Sequence, residues 1–213
     1  MALDQINFHF FFRSSKMKYA IIGSGNVGTA IARQFARVAI PVSIANTRGP
    51  ETILPLTAEL GEMVTATSLE EVLSADVLFL ALPFIAVEAL ARSRSDWAGK
   101  IIIDQTNAYG VPPETLAGRL SSDIVAQALP GASVVKAFNQ LPAGVLARDP
   151  SQDGGRRVVF VSSNDEKAAS TVKALAEQLG FSPILVGRID EGGRLLHIPG
   201  PLVLHNLIEH PLK

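Results

Sequence analysis

The sequence predicts an α/β protein: a doubly wound, mostly parallel sheet with a short helical segment at its C-terminus. Three observations carry that prediction. Short apolar runs alternate with helical patterns through most of the 213 residues, without internal repeats. The run at 76–82 is almost continuously apolar, as a strand must be when helices cover both faces of a parallel sheet. A glycine-rich turn, Gly23-Ser24-Gly25-Asn26-Val27-Gly28, joins the first apolar run to the first helical pattern.

Residues 18–22 form the first strand and 27–38 the first helix. The second strand covers 41–45, the second helix 51–60 and a short third strand 63–66. Ser68-Leu69-Glu70-Glu71 opens a brief helix as a capping box, with Ser at the cap and Glu three residues later. After the strand at 76–82, residues 85–94 are helical and 100–103 form the next strand. A helix over 121–128 leads into a strand at 133–137, and the Pro-, Gly- and Asp-rich stretch 141–155 reads as a loop. A strand at 157–161, a helix at 165–179 and a strand at 183–186 complete the alternation. Residues 193–209 are mostly apolar and predict helix, broken around Pro199-Gly200-Pro201. No linker of domain-separating length occurs, so 17–213 is expected to be one domain.

Met17 stands just before the first strand, and residues 1–16 are read as an upstream extension outside the fold. Their Phe8-His9-Phe10-Phe11-Phe12 cluster lacks the basic lead and small-residue cleavage site of a signal peptide. As a membrane anchor, one aromatic cluster would bind only weakly.

Apolar residues make up 47% and charged residues 18%, the balance of an ordinary globular chain. A net charge of −1 and a pI near 6.4 supply no basic surface for nucleic acid or anionic lipid. No apolar run approaches the roughly 20 residues that span a bilayer. Cysteine is absent, which removes disulfides, cysteine-ligated zinc, iron–sulfur clusters and thiol catalysis, and suits a cytoplasmic protein. Of the four histidines, His9, His197, His205 and His210, the last two are five apart and do not share a helical face. No metal site is expected.

The glycine turn sits where a dinucleotide pyrophosphate is held. Gly23 permits the tight turn, Gly25 lets backbone approach the phosphates, and Gly28 allows close helix–strand packing. The helix behind it aims free N–H groups at the anion. The end of the second strand selects the dinucleotide. An acid there would take the ribose hydroxyls of NAD, but this chain has Asn46-Thr47-Arg48, with no acid until Glu51. Arg48 offers a charged fork and Thr47 a hydroxyl to a 2′-phosphate, so NADP(H) is expected.

The other strand ends are Ala81-Leu82-Pro83-Phe84, Gln105-Thr106-Asn107 and Ala137-Phe138-Asn139-Gln140. They hold no Ser-His-Asp set, paired carboxylates or metal cluster, and the lone acid, Asp104, reads as the anchor of a strand end. Such a site predicts direct hydride exchange with a second redox carrier. That reaction mainly needs two rings held about 3–3.5 Å apart.

Residues 17–35, Asn46-Thr47-Arg48, the run from Ala75 to Pro83 and Val135-Lys136-Ala137-Phe138-Asn139 resemble the coenzyme F420-dependent NADP oxidoreductase family. The likeness continues through 187–207, where that family carries a broken apolar helix. The Lys-Ala-Phe-Asn segment is also similar to the cytosolic NADPH-binding domain of membrane-bound metalloreductases, which use a flavin. The resemblance implies a Rossmann NAD(P)-binding fold in which Gly23, Ser24, Gly25, Asn26, Val27 and Gly28 hold the pyrophosphate. Thr47 and Arg48 would hold the 2′-phosphate, and Leu82 and Pro83 would border the ribose and nicotinamide. Asn107, Ala137, Phe138 and Asn139 would face the nicotinamide and the partner ring.

The implied activity is hydride transfer between NADP(H) and a small-molecule acceptor, F420 or FMN/FAD. Unlike the archaeal members that use F420, this chain has no histidine at Phe138-Asn139 and no second basic residue at 49–52. The alternative is a non-catalytic NADP(H)-sensing module. A reductase would keep an open acceptor pocket lined by Pro83, Phe138, Asn139 and the final helix. A sensor would fill that pocket and expose an apolar partner patch. Hydroxyacid and imine dehydrogenases share the glycine turn but append a large helical domain that this sequence does not contain. A small helical C-terminus packed on a second subunit would make a homodimer.

Overall fold

The structure is a computed structural model that describes residues 17–212; the expected extension, 1–16, lies outside the described residues. Its first half alternates strand and helix: β1 (Tyr19–Ile22), α1 (Asn26–Arg37), β2 (Val42–Ala45), α2 (Leu54–Leu60), β3 (Val64–Ala66), α3 (Leu69–Val72), β4 (Val77–Leu80), α4 (Val87–Ala91) and β5 (Ile101–Asp104). The second half adds α5 (Pro113–Leu116), α6 (Ser121–Ala128), β6 (Ser133–Ala137), α7 (Ala143–Leu146), β7 (Ser151–Gln152), β8 (Gly155–Ser163), α8 (Glu166–Gln178), β9 (Ser182–Leu185), α9 (Gly192–Leu196) and β10 (Ile208–Glu209).

Six strands lie parallel in the order β3-β2-β1-β4-β5-β6. This is the doubly wound dinucleotide-binding order, in which the chain reverses direction across the sheet between β1 and β4. A crevice opens beyond the carboxyl ends of those two strands. Antiparallel β8 then joins β6, and β9 runs parallel to β8.

The sheet is buried on both faces because helices cover both. All four residues of β4 are fully buried, which explains the unbroken apolar run. Ile21, Phe79, Ile103 and Val135 pack on α1 and α8, whereas Ala20, Leu78, Ile102 and Val134 pack on α3, α4 and α6. On the α1 face an aromatic row, Tyr19-Phe35-Phe79-Phe138-Phe181, keeps successive ring centroids 5.5–5.9 Å apart.

The expected capping box is present. The Glu71 N–H donates to Ser68 Oγ at 3.2 Å, and Glu71 Oε2 accepts the Ser68 N–H at 3.0 Å. The loop expected at 141–155 contains α7 and β7. Buried Gln34, on α1, orders it by donating to the carbonyls of Leu146 and Arg148 at 2.7 and 2.8 Å. The helix expected at 193–209 is corrected: only Gly192–Leu196 is helical. Pro199 and Pro201 remove N–H donors, and the following segment serves the sheet instead. The Val158 N–H donates to the Leu207 carbonyl, and Ile208 and Glu209 pair with Arg157 and Arg156 of β8.

One buried ion pair ties the strand ends together. Lys136, the single charged residue of β6, is 1% exposed, and its Nζ donates to Asp104 Oδ2 at 3.1 Å. It also donates to the Thr106 carbonyl. Asp104 is fully buried and accepts from the Thr106 N–H and Oγ1 at 2.9 and 2.6 Å and from Ser122 Oγ at 2.8 Å. The anchoring role expected of Asp104 is thus met by groups from β6, α6 and the segment after β5.

Lys136→Met should lower stability by about 3–5 kcal/mol, because it strands a buried carboxylate without its cation. The double variant Asp104→Asn, Lys136→Met should recover part of that loss in urea unfolding. A single variant as stable as the wild type would dismiss the pair as a constraint. A second prediction concerns Asp165, which caps α8 by accepting from the Lys167 and Ala168 N–H groups. The Ser133 hydroxyl and then the Ala168 N–H hold its carboxyl below the usual range. A depressed carboxyl stabilises above its unfolded value near ~3.9, and that contribution is lost as pH falls through the lower folded value. Asp165→Ala should therefore cost about 1 kcal/mol at pH 7 and progressively less in acid, read by denaturation at both pH values.

Candidate functional site

The crevice is built on close backbone contact. Gly23 adopts φ +113°, and its N–H donates to the Ala45 carbonyl at 2.8 Å, while the Ala81 N–H donates to the Ile22 carbonyl at 2.9 Å. A Cβ on Gly23 would collide with the carbonyl oxygen of Ala81, and one on Gly28 with that of Gly23. Those two glycines are needed for internal packing. Gly25 differs: a Cβ there would meet nothing within 4 Å, so its open side faces the crevice.

Gly25 is also the N-cap of α1. Among the described residues no side chain caps this helix, and no acid lies in its first turn. The first helical bond runs from the Thr29 N–H to the Gly25 carbonyl at 2.9 Å. The N–H groups of Asn26, Val27 and Gly28 therefore have no intrahelical acceptor. An unobstructed glycine beside three such donors, at the positive end of a helix dipole, fits an anionic pyrophosphate.

Asn46 links the glycine turn to the loop after β2. Its Nδ2 donates to Ser24 Oγ at 2.7 Å and Thr52 Oγ1 at 2.9 Å, and its Oδ1 accepts the Arg48 N–H at 2.8 Å. This Asx turn leaves Thr47 and Arg48 exposed, and Arg48 has no ion pair among the described residues. The Glu51 carboxylate folds back against Gly49, close to this loop. Sequence reasoning named Thr47 and Arg48 but missed Asn46; a polar residue at a strand end just before a turn was the available signal.

Two cavities meet here. One, of about 400 Å³, is lined by the glycine turn, Asn46, Thr47, Arg48 and the apolar residues Leu69, Leu82 and Leu90. The other, of about 300 Å³, is lined by Asn26, Val27, Gln105, Thr106 and Asn107. Both include Gly25, Ala81, Leu82 and Pro83, so one groove passes from Arg48 over the start of α1 to Asn107.

The remaining expected residues divide. Asn107 Nδ2 donates to the Asn139 carbonyl at 2.9 Å, and Asn139 Nδ2 donates to Asn107 Oδ1 at 2.9 Å. Ala137 and Phe138, expected to face the rings, do not line the groove. Both are buried, and the Phe138 ring lies in the aromatic row on the α1 face. Phe138 takes a left-handed φ of +60°, a strained conformation for a bulky residue, as the chain turns from β6 toward Asn139.

The final helix reaches this end through the Leu196 carbonyl, which accepts from Asn139 Nδ2 at 2.8 Å. His197 follows, half-buried, with Nδ1 3.3 Å from Ser121 Oγ. Burial, and secondarily the Lys136 charge, push its pKa below the ordinary histidine value. In the sequence Lys136 stands only within the run 135–139, and nothing near it in the chain marks Asp104 as its partner. A lone lysine inside an apolar strand is itself the sign that one exists.

Among the described residues, no group of three or more His, Asp or Glu side chains could hold a metal ion, and no helix is long and apolar enough to cross a membrane.

A family model described as NADP oxidoreductase, coenzyme F420-dependent, matches residues 18–108, a stretch that holds the glycine turn, the Arg48 loop, Pro83 and Asn107. The chain is 30% identical over 183 residues to metalloreductase STEAP3 of Rattus norvegicus, covering 85% of this chain. It spans about a third of the length of the curated relatives it matches. Among solved structures it is similar to a hypothetical protein from Sinorhizobium meliloti, with 42% identity, a TM-score of 0.88, and coverage of 93% of this chain and 98% of that one. It is also similar to a protein from Arthrobacter sp. FB24 assigned as an F420-dependent NADP reductase, with 27% identity, a TM-score of 0.66, and coverage of 86% and 91%. The groove's principal residues thus lie inside the stretch, residues 18–108, that matches the coenzyme F420-dependent NADP oxidoreductase family model, with the doubly wound sheet beneath them.

Proposed function

We propose that the groove binds NADP(H) and that the protein is an NADPH-dependent oxidoreductase passing hydride between NADP(H) and a redox ring, F420 or a flavin. The observation that carries this reading is continuity. An anion-ready helix start lies between an exposed, unpaired arginine loop and a second cavity at Pro83 and Asn107. The segment Gly23 to Gly28 would take the pyrophosphate, Thr47 and Arg48 the 2′-phosphate, and Leu82 and Pro83 the apolar faces of ribose and nicotinamide. Asn107, held by Asn139, would border the reacting ring. A bound nicotinamide supplies the hydride; the chain orients the ring and keeps water away from it.

A non-catalytic NADP(H)-sensing module remains the second reading, and one observation favours it. The pocket expected for an acceptor lacks Phe138 as a wall, and the end of α9 covers Asn139. Against it, the cavity beside Pro83 is open.

Arg48→Ala should weaken NADPH binding roughly 10- to 100-fold, the equivalent of about 1.5–3 kcal/mol for a hydrogen bond to a charged group, while NADH affinity changes little. Fluorescence titration reads both, and equal loss for the two cofactors would overturn the 2′-phosphate assignment. Anaerobic stopped-flow with F420, FMN, FAD, a ferric chelate and a quinone should show NADPH oxidation with F420 or a flavin. Tight NADPH binding without oxidation by any of the five would favour the sensor.

A further inference from the structure

Gln105 is the residue that neither the fold nor the cofactor contacts above account for. It lies just past β5, is 5% exposed, and lines the cavity together with Pro83 and Asn107. Among the described residues neither its Oε1 nor its Nε2 has a hydrogen-bond partner. A leucine would fill similar space without burying an unpaired amide.

Asn139 shows a related imbalance. It is also 5% exposed, its Nδ2 is engaged by Asn107 Oδ1 and the Leu196 carbonyl, and its Oδ1 is unpartnered. Both partners of Nδ2 are acceptors, which settles the orientation of that amide. The cavity wall at Gln105 thus presents one unpaired oxygen acceptor and one unpaired NH2 donor, with the Asn139 side chain held behind Asn107.

That set has a definite complement. A primary carboxamide carries an NH2 with two donors beside one carbonyl acceptor. The pyrimidine edge of a flavin or deazaflavin carries the reverse, one N–H between two carbonyls. We propose that Gln105 reads the carboxamide of the nicotinamide ring and so fixes which ring face is presented. The proposal rests on the NADP(H) reading of the groove. It assigns Gln105 a specificity role.

The test is calorimetric binding to the wild type and to Gln105→Leu. The ligands are NADP+, its 3-acetylpyridine analogue (a methyl ketone in place of the amide), 2′,5′-ADP and FMN. The wild type should prefer NADP+ over the analogue by about tenfold, and Gln105→Leu should lose both about tenfold in NADP+ affinity and that preference. Unchanged 2′,5′-ADP binding would show the variant intact. Should the leucine variant not fold, Gln105→Met keeps a similar length without the amide, and the same loss is expected. Undiminished NADP+ affinity, or discrimination between the two ligands retained in the variant, overturns the proposal. A loss confined to FMN overturns it in favour of an acceptor-reading amide. Failure of the wild type to bind 2′,5′-ADP at all would instead remove the cofactor reading beneath it.

Discussion

The steric closeness of three backbone segments governs this protein. The end of β1, the start of α1 and the end of β4 approach so nearly that Gly23 and Gly28 have no room for a Cβ. Because the strand order reverses between β1 and β4, this contact point also opens the crevice. The packing that brings α1 down onto the sheet therefore aims its uncapped N–H groups into the groove. Stability and binding capacity meet in the same few atoms. The groove cannot be filled by larger side chains at Gly23 or Gly28 without displacing the helix.

A second constraint acts at the opposite end of the groove. The Asp104–Lys136 pair is costly to bury, and it is tolerated because both ions are hydrogen-bonded, by Thr106, Ser122 and each other. Its hydrogen bonds pin the segment from Gln105 to Asn107 against β6. The half-buried His197 and the Leu196 carbonyl close over the same region from the C-terminal segment. One end of the groove is therefore shaped by backbone sterics, and the other by the polar network around Asp104 and Lys136. The first suits a phosphate chain that needs close approach to N–H groups, and the second suits a flat polar ring that must be oriented.

Legibility in the sequence followed the range of the interaction. The strands, the capping box at Ser68 and the glycine turn were readable because their causes lie within a few residues. The loop at Thr47 and Arg48 was readable because it follows β2 directly. Phe138 was misplaced for a physical reason. Position alone puts it at a strand end facing the groove, but its φ of +60° turns the ring into the row between Phe79 and Phe181. The helix expected over 193–209 failed likewise, since an apolar stretch cannot announce that it will supply a strand to β8.

By itself, then, the sequence determined the doubly wound alternation, the glycine turn ahead of α1 and the absence of an acid at Asn46-Thr47-Arg48. Each follows from local backbone freedom, from period and from charge. Only the tertiary structure decided that Lys136 belongs to Asp104, that Asn46 braces the arginine loop and that Gln105 lies buried without a partner. These depend on residues brought together from distant parts of the chain, such as Asp104 and Lys136, 32 residues apart. Hydrogen-bond satisfaction is a property of three-dimensional neighbours, and no spacing along the chain encodes which buried amide will be left unpaired.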